Sequence, residues 1–507
     1  MLNQHPFLRF FSFCVVFVAG FSIFSLRVHG QAVNSRSKLI GHPILDSGLR
    51  TTPWVPNLEP DSIPSDFPVL AITKLNNPGT GDLYLANFRY IGDQYGTYLM
   101  ILDSYGHLIY KHRLTRGAQD FRLQPNGHYT YFDLAAKKFY GMDSNFIIVD
   151  TFAAKGHETD SHELRILPNG GYALFGVYSE TVDMRPVIPT GDSAAVVIFN
   201  DLQEFDKDKN LIFDWRTNDP GHFAITDATN EDLTLHTIDA VHCNSIELDR
   251  DSTFLVSSRS LDEVTKIDRK TGAIIWRLGG KHNQFTYTND SLQFMHQHDV
   301  RRLPNGNITM FDNGNFRKPL PYFSRAVEYT INEDAKIITK IWDYRHDPDI
   351  FAGAMGSVQR RKDGSTLIGW GISDTVAVTE VKPDGSTAFE MALPSGHFNY
   401  RAYKFTKDEF TADVEANTIQ PYVTLNQNYP NPFSSSSTIS FSTDKAIPVK
   451  LEISDAFGRI TKILFDGRVD AGNYSAKFEA ENLPNGMYIF KLTTPTTCLS
   501  KTMILLK

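Results

Sequence analysis

Five segments of this chain are versions of one hairpin: LQPNGHYTYF, LPNGGYALF, LDRDSTFLVSS, LPNGNITMF and RKDGSTLIGW. Each is a short alternating run, a turn, and a second alternating run. Asn-Gly and Asp-Gly supply the positive φ that a tight hairpin turn requires. GDLYLANF near residue 81 reads as a degenerate first copy. The copies recur at roughly 40 to 60 residues, with one doubled gap between the second and third, a period that suits four-stranded units arranged radially. Between them lie further strand-like stretches, among them FNDLQEFDKDKNLIFDWR and VTKIDRKTGAIIWRL, which read as the outer two strands of successive units. Helical periodicity is nearly absent. The expected fold is all-β: a β-propeller over residues 67–405, best counted as six-bladed with five or seven as alternatives.

At 507 residues the chain calls for two or more domains. A composition break at about 406–425, followed by the Pro, Asn and Ser cluster LNQNYPNPFSSSS, separates the propeller from a small β-sandwich over 426–507. Residues 31–66, rich in proline, read as an irregular lead-in. Residues 1–30 read as a signal peptide: Arg9 is the positive charge, Phe10 to Phe24 the apolar run, and small residues near Gly30 place cleavage before Gln31. The competing reading is an uncleaved membrane anchor. Cleavage would remove Cys14 and leave Cys243 and Cys498 in separate domains, so no disulfide is expected to carry stability. The net charge of −8 offers no basic face for nucleic acid.

His162, His242 and His298 stand at one offset from the turns of three copies, seven residues before Asn169, Asp249 and Asn305. In a repeat architecture equal offsets mean equivalent positions, so three imidazoles are expected at one mouth of the central channel. The strand after the second of these turns climbs back to Arg259, which joins them. Other copies hold Gln119 or Gly356 at that position, so the repeat itself does not demand histidine. The bland alternative is a histidine at a strand end that satisfies a neighbouring carbonyl.

Arginine presents a fork of donors matched to an oxyanion. Histidine is a nucleophile or proton carrier near neutral pH. Cys243, the next residue after His242, is expected to face away from the channel because strand neighbours alternate. A metal site competes, through His296, His298 and Asp299 or through His157-Glu158 and His162-Glu163. HETDSHE lacks the His-Glu-x-x-His spacing, however, and Arg259 opposes a cation. DKDKN at 206–210 has Leu211 and Thr217 where a calcium loop needs Gly and Glu, and reads as a hairpin turn.

DAVHCNSIELD, LVSSR, GAIIWRLGG, QHDVRRLPNG with FDNG, and GSVQRRKDGSTLIGWG together resemble the bacterial arylsulfotransferase family over residues 67–405. The resemblance implies a six-bladed propeller with its site in the central channel and no cofactor or metal. It implies His298 as the transiently sulfurylated nucleophile, His162 and His242 as holders of sulfuryl oxygens and aids to the leaving group, Arg259 as the sulfuryl-binding arginine and Asn244 as a further donor. The substrates it implies are an aryl sulfate donor and a phenolic acceptor. NYPNPFSSSSTISF, ISDAFGR, LPNGMYIFKL and the closing KTMILLK resemble the sorting domain of the type IX secretion system. That implies a Bacteroidetes-type bacterium, export through that machinery, and release or attachment at the outer cell surface; an adhesive or carbohydrate-binding sandwich is the alternative. The expected activity is two-step sulfuryl transfer through a sulfohistidine. The alternatives are a non-catalytic surface propeller for an anionic ligand or glycan, and a metal-dependent hydrolase or sulfatase.

Overall fold

The structure is a computed structural model that describes residues 63–90, 92–406, 423–443, 446–455, 459–481, 483–494 and 498–507. The signal peptide, most of the lead-in and most of the linker lie outside these residues. The described residues form strands and one short 3-10 turn, Ile225–Asp227. No helix among them is long and apolar enough to cross a membrane. The chain divides into two compact units, 1–407 and 408–507.

Among its described residues the first unit contains six sheets, antiparallel except for two short parallel strands, Thr237–Asp239 and Thr286–Thr288. Ala118–Leu123, Tyr129–Asp133, Lys138–Met142 and Ile148–Phe152 make one of them, in chain order from first strand to last. The first strands of the six are Ala118–Leu123, Glu158–Ile166, Cys243–Leu248, His298–Arg302, Ser357–Arg360 and His397–Phe405. These touch one another in a closed cycle, so the sheets radiate from a common centre. Each of the five hairpin motifs is the first and second strand of a sheet. Apolar residues on both faces of each sheet pack against the next: Phe175, Val197 and Leu202 against Ile246, Phe254 and Val256, for example.

The doubled gap is one sheet rather than a lost repeat. It holds two eleven-residue strands, Tyr172–Val182 and Ala195–Phe205, and a long excursion to Thr237–Asp239, which runs parallel along the end of Ala195–Phe205. GDLYLANF proves to be half a hairpin. Its strand, Asp82–Arg89, is the second of its sheet, and the first strand, His397–Phe405, comes from the far end of the unit. Ala71–Leu75 likewise adds to the outer edge of the sheet ending in Thr387–Ala392. The ring is thus stitched shut twice by backbone ladders.

In the second unit, one sheet of three strands and one of four share a single apolar core. Ile439, Phe441 and Phe478 of the first pack with Leu451, Ile453, Phe490 and Met503 of the second.

Candidate active site

A bulge at the start of the first strands splits consecutive residues between two layers. His298 pairs with Phe311 and Arg301 with Thr309, leaving Asp299 and Val300 out of step. Gln119 and Arg122 pair with Phe132 and Thr130 in the same way. At His242 the carbonyl takes the N–H of Arg259 at 2.9 Å, and Ser245 pairs with Ser257. Asp120, Asp299 and His242 sit at φ of 52°, 58° and 56°, the left-handed region that a β-bulge uses to re-aim side chains. One residue of each pair therefore points to the mouth and its neighbour into the centre of the ring.

The mouth layer gathers the histidines. The rings of His162 and His242 lie 4.8 Å apart between centroids, and those of His162 and His298 6.1 Å. In all three, Nδ1 is occupied by an acceptor. His162 Nδ1 donates to Asp160 at 2.6 Å, and His242 Nδ1 donates to Asp239. His298 Nδ1 donates to the Gly356 carbonyl at 2.8 Å. A carbonyl can only accept, so neutral His298 carries its proton on Nδ1 and leaves the Nε2 lone pair free. Gly356 can be nothing else: its φ is 105°, and a Cβ there would lie 2.4 Å from the Phe311 ring.

Beside Nε2 stands a residue that the hairpin pattern did not reveal. The Tyr400 hydroxyl is 3.3 Å from His298 Nε2 and donates to the His162 carbonyl at 2.9 Å. Burial holds this phenol well above its ordinary pKa, so it stays a donor. His298 is 2% exposed. Its burial, reinforced by Arg401 and by the neighbouring histidines, keeps its pKa well below 6.5 against the opposite pull of the Gly356 carbonyl. It is neutral at neutral pH. Burial pushes the carboxyl of Asp239 up, but His242 and Arg259 outweigh it and hold the group below the usual carboxylate range.

Arg259 packs beside His242, with its nearest carboxylate, Glu231, at 3.8 Å. Asn244 is fully buried; its Nδ2 donates to the Gln297 carbonyl at 2.8 Å and its Oδ1 has no partner. One of its two amide hydrogens is therefore committed to the wall. Cys243 sits in the apolar core between sheets, where burial pushes its thiol up and away from reactivity. No group of three metal-ligating side chains occurs among the described residues. The acidic members of the metal candidates face elsewhere: Glu163 and Asp299 bond arginines, and HETDSHE is strand, Glu158–Ile166. DKDKN is a hairpin turn closed by Asp206, which accepts from the N–H groups of Asp208 and Asn210.

The layer beneath is ionic. Arg122, Arg301 and Arg401 interleave with Asp120, Glu163 and Asp299. Arg401 reaches Asp120 at 2.9 Å and Glu163 at 2.7 Å; Arg301 reaches Glu163 at 2.7 Å and Asp299 at 2.6 Å. Arg401 also donates to the Asn244 carbonyl at 2.6 Å, and Asp299 accepts the Val358 N–H at 3.1 Å. All six first strands are tied into this network, which lies beneath the histidines. It had a sequence signal: Gln119-Asp120-x-Arg122, His162-Glu163-x-Arg165 and His298-Asp299-x-Arg301 repeat one pattern. Tyr400-Arg401 had none, because no turn follows it at the counted offset.

A cluster of histidines with an adjacent arginine offers donors suited to a small oxyanionic group. The sequence profile of the arylsulfotransferase (ASST) family matches residues 72–418, more than half of the chain.

The chain belongs to the arylsulfotransferase family.

That membership supports a sulfotransferase function. The profile of a secretion system C-terminal sorting domain, that of the type IX system, matches residues 427–506 and indicates export with secretion or attachment to the cell surface. No curated protein matches significantly. Among solved structures, this arylsulfotransferase-family chain is similar to a Bacteroides caccae protein of unknown function, at 10% identity and a TM-score of 0.41 over 65% of this chain and 100% of the other. It is also similar to a catalytically inactive virginiamycin B lyase from Staphylococcus aureus with quinupristin, at 9% identity and a TM-score of 0.36 over 66% and 98%. A third is PorZ, a surface component of the type-IX secretion system of Porphyromonas gingivalis, at 9% identity and a TM-score of 0.27 over 81% and 73%.

Proposed function

We propose that this protein moves a sulfuryl group from an aryl sulfate to a phenol in two steps, through a sulfohistidine at His298. In this reading the six sheets are the blades of a six-bladed propeller over 67–405, and the two C-terminal sheets are a β-sandwich over 426–507. Residues 1–30 are a cleaved signal peptide, 31–66 a lead-in and 406–425 a linker.

The observation that carries the reading is the unequal backing of the three imidazoles. His162 and His242 each donate Nδ1–H to a carboxylate, the pairing that orients a proton-carrying imidazole in acid–base catalysis. His298 is backed by a neutral carbonyl and buried, which favours the free base. One ring is thus suited to attack and two to carry protons. The Nε2 lone pair of His298 forms the N–S bond as the S–O bond to the aryl group breaks. His162 or His242 passes its Nε2 proton to the departing phenolate oxygen. Arg259, with Asn244 as an added donor, holds the sulfuryl oxygens, the preorganised electrostatic contribution that dominates many group transfers. The sulfuryl group rests on Nε2 while Nδ1–H goes on donating to the Gly356 carbonyl. An acceptor phenol then gives its proton back to the same imidazole, its oxygen forms the new S–O bond, and the N–S electron pair returns to Nε2. Such a mechanism is ping-pong.

The test is release of p-nitrophenol from p-nitrophenyl sulfate with and without added phenol. Phenol-dependent turnover with appearance of phenyl sulfate is expected. Release that ignores phenol would make the site a sulfatase, and no release from folded protein would remove the catalytic reading.

A further inference from the structure

Two residues before His298 lies a fourth histidine that none of these roles uses. His296 is 1% exposed, and neither of its ring nitrogens has a hydrogen-bond partner. Its backbone is held in the left-handed region, φ 52°, by an N–H bond of 2.6 Å to Asp262 Oδ1. Its own Nε2 is 3.9 Å from that oxygen, too far to bond. Burial, with Arg259 and His242 nearby, keeps the ring neutral. A neutral imidazole has one donor and one acceptor to offer, and buried polar atoms of native proteins are nearly always satisfied. Both ends of this one await a partner.

Phe316 lies against this ring. Its ring stands edge-on to His296 at 5.2 Å between centroids. It is 36% exposed and sits at φ 61°, an outlying conformation for a bulky residue of the kind that collects at binding sites. Its loop leaves the strand Ile308–Asp312 at the end where Phe311 pairs with His298, so it rises on the mouth face. Gly314 anchors the loop by donating its N–H to the Met295 carbonyl at 3.0 Å.

We propose that His296 and Phe316 form an aryl subsite beside Arg259 that selects phenols and aryl sulfates carrying a second hydrogen-bonding ring substituent, such as a catechol hydroxyl. The inference rests on the sulfuryl-transfer reading above. Phe316 turns aside and stacks on the aromatic ring, and the substituent pairs with His296. In-line displacement puts the incoming phenol where the departing one stood, so one subsite serves both half-reactions and the same preference governs donor and acceptor.

The experiment compares catechol with phenol as acceptors, and their monosulfates as donors, for the full-length protein and for His296→Leu, His296→Gln and Phe316→Ala. The wild type is expected to favour catechol in kcat/KM by about tenfold or more, the discrimination typical of a site that would otherwise hold an unpaired polar group. His296→Leu should erase that preference in both half-reactions. His296→Gln, which keeps a donor and an acceptor, should restore part of it, and Phe316→Ala should raise KM for both acceptors. Equal treatment of catechol and phenol by the wild type, or an unchanged preference in folded His296→Leu, overturns the inference while transfer itself stands. Absence of phenol-dependent turnover in the wild type instead overturns the transfer reading on which it rests.

Discussion

The histidine layer at the mouth and the ionic layer beneath it are built from adjacent residues of the same strands, yet they follow opposite rules. In the upper layer each imidazole has one nitrogen fixed and the other free. In the lower layer three arginines and three carboxylates pair with one another, all of them buried but for the partly buried Arg301. The upper layer leaves bonding capacity open. The lower layer spends most of it on tying six strands together, leaving only the Nε atoms of Arg301 and Arg401 without a hydrogen-bond partner among its arginines. The difference teaches how a site can stay under-satisfied without collapsing: the rigidity it lacks is supplied one residue away.

The largest effect that can break this contrast is in the upper layer. His298→Ala is expected to lower phenol-dependent transfer by at least about three orders of magnitude, with the urea midpoint nearly unmoved. Retained transfer would sink the nucleophile assignment. The mirror experiment is Arg401→Met. Removing one partner of a buried ion cluster strands its carboxylates and costs about 3–5 kcal/mol, read as a lower denaturation midpoint of the full-length protein. A midpoint shift under about 1 kcal/mol would show that the lower layer is not the strut inferred from its bonds. Asp239→Asn sharpens the comparison, since it leaves the fold of His242 intact but removes the charge behind it. Transfer should fall by about 10²-fold, most of all for poor leaving groups; a uniform loss across leaving groups would argue against proton delivery by His242.

The smallest effect is in pH. The folded pKa of His298 lies below 6.5, so its free base persists as pH falls through 6.5. The p-nitrophenol burst from stoichiometric enzyme should therefore hold its amplitude below pH 6, and a burst lost with a midpoint near 6.5 would contradict a buried neutral nucleophile. The sign for stability is the reverse. His296 and His298 are neutral when folded and take up protons when unfolded below about 6.5, so the unfolded state binds more protons and stability declines as pH drops through that value. Burial has also pushed the Asp262 carboxyl up to about 6. Its contribution runs the other way: it is present in acid and is lost as pH rises from about 4 to about 6.

Turn chemistry made the hairpins legible, because Asn-Gly and Asp-Gly admit few backbone alternatives. Equal offsets then led to His162, His242 and His298, since a residue at fixed distance from a turn inherits a fixed place on its strand. Asp160 and Asp239 were not legible: each reaches its imidazole through a local bend with no periodicity. Tyr400 was hidden for a different reason. Its strand pairs with Asp82–Arg89 from the other end of the unit, and no count along the chain crosses that distance. The ionic layer was visible as a repeated acid-x-Arg pattern but had no meaning until the bulges separated it from the histidines beside it.

The strand His397–Phe405 has a consequence in time as well as space. A ribosome delivers it after every other part of the ring, and it brings both Tyr400 to His298 and Arg401 to the ionic layer. Any nascent chain or fragment ending before it holds the three histidines and still has neither a closed ring nor a completed ionic layer. On the transfer reading proposed above, reactivity is thus deferred to the last strand of the unit, and a fragment that stops short of it is expected to be inert.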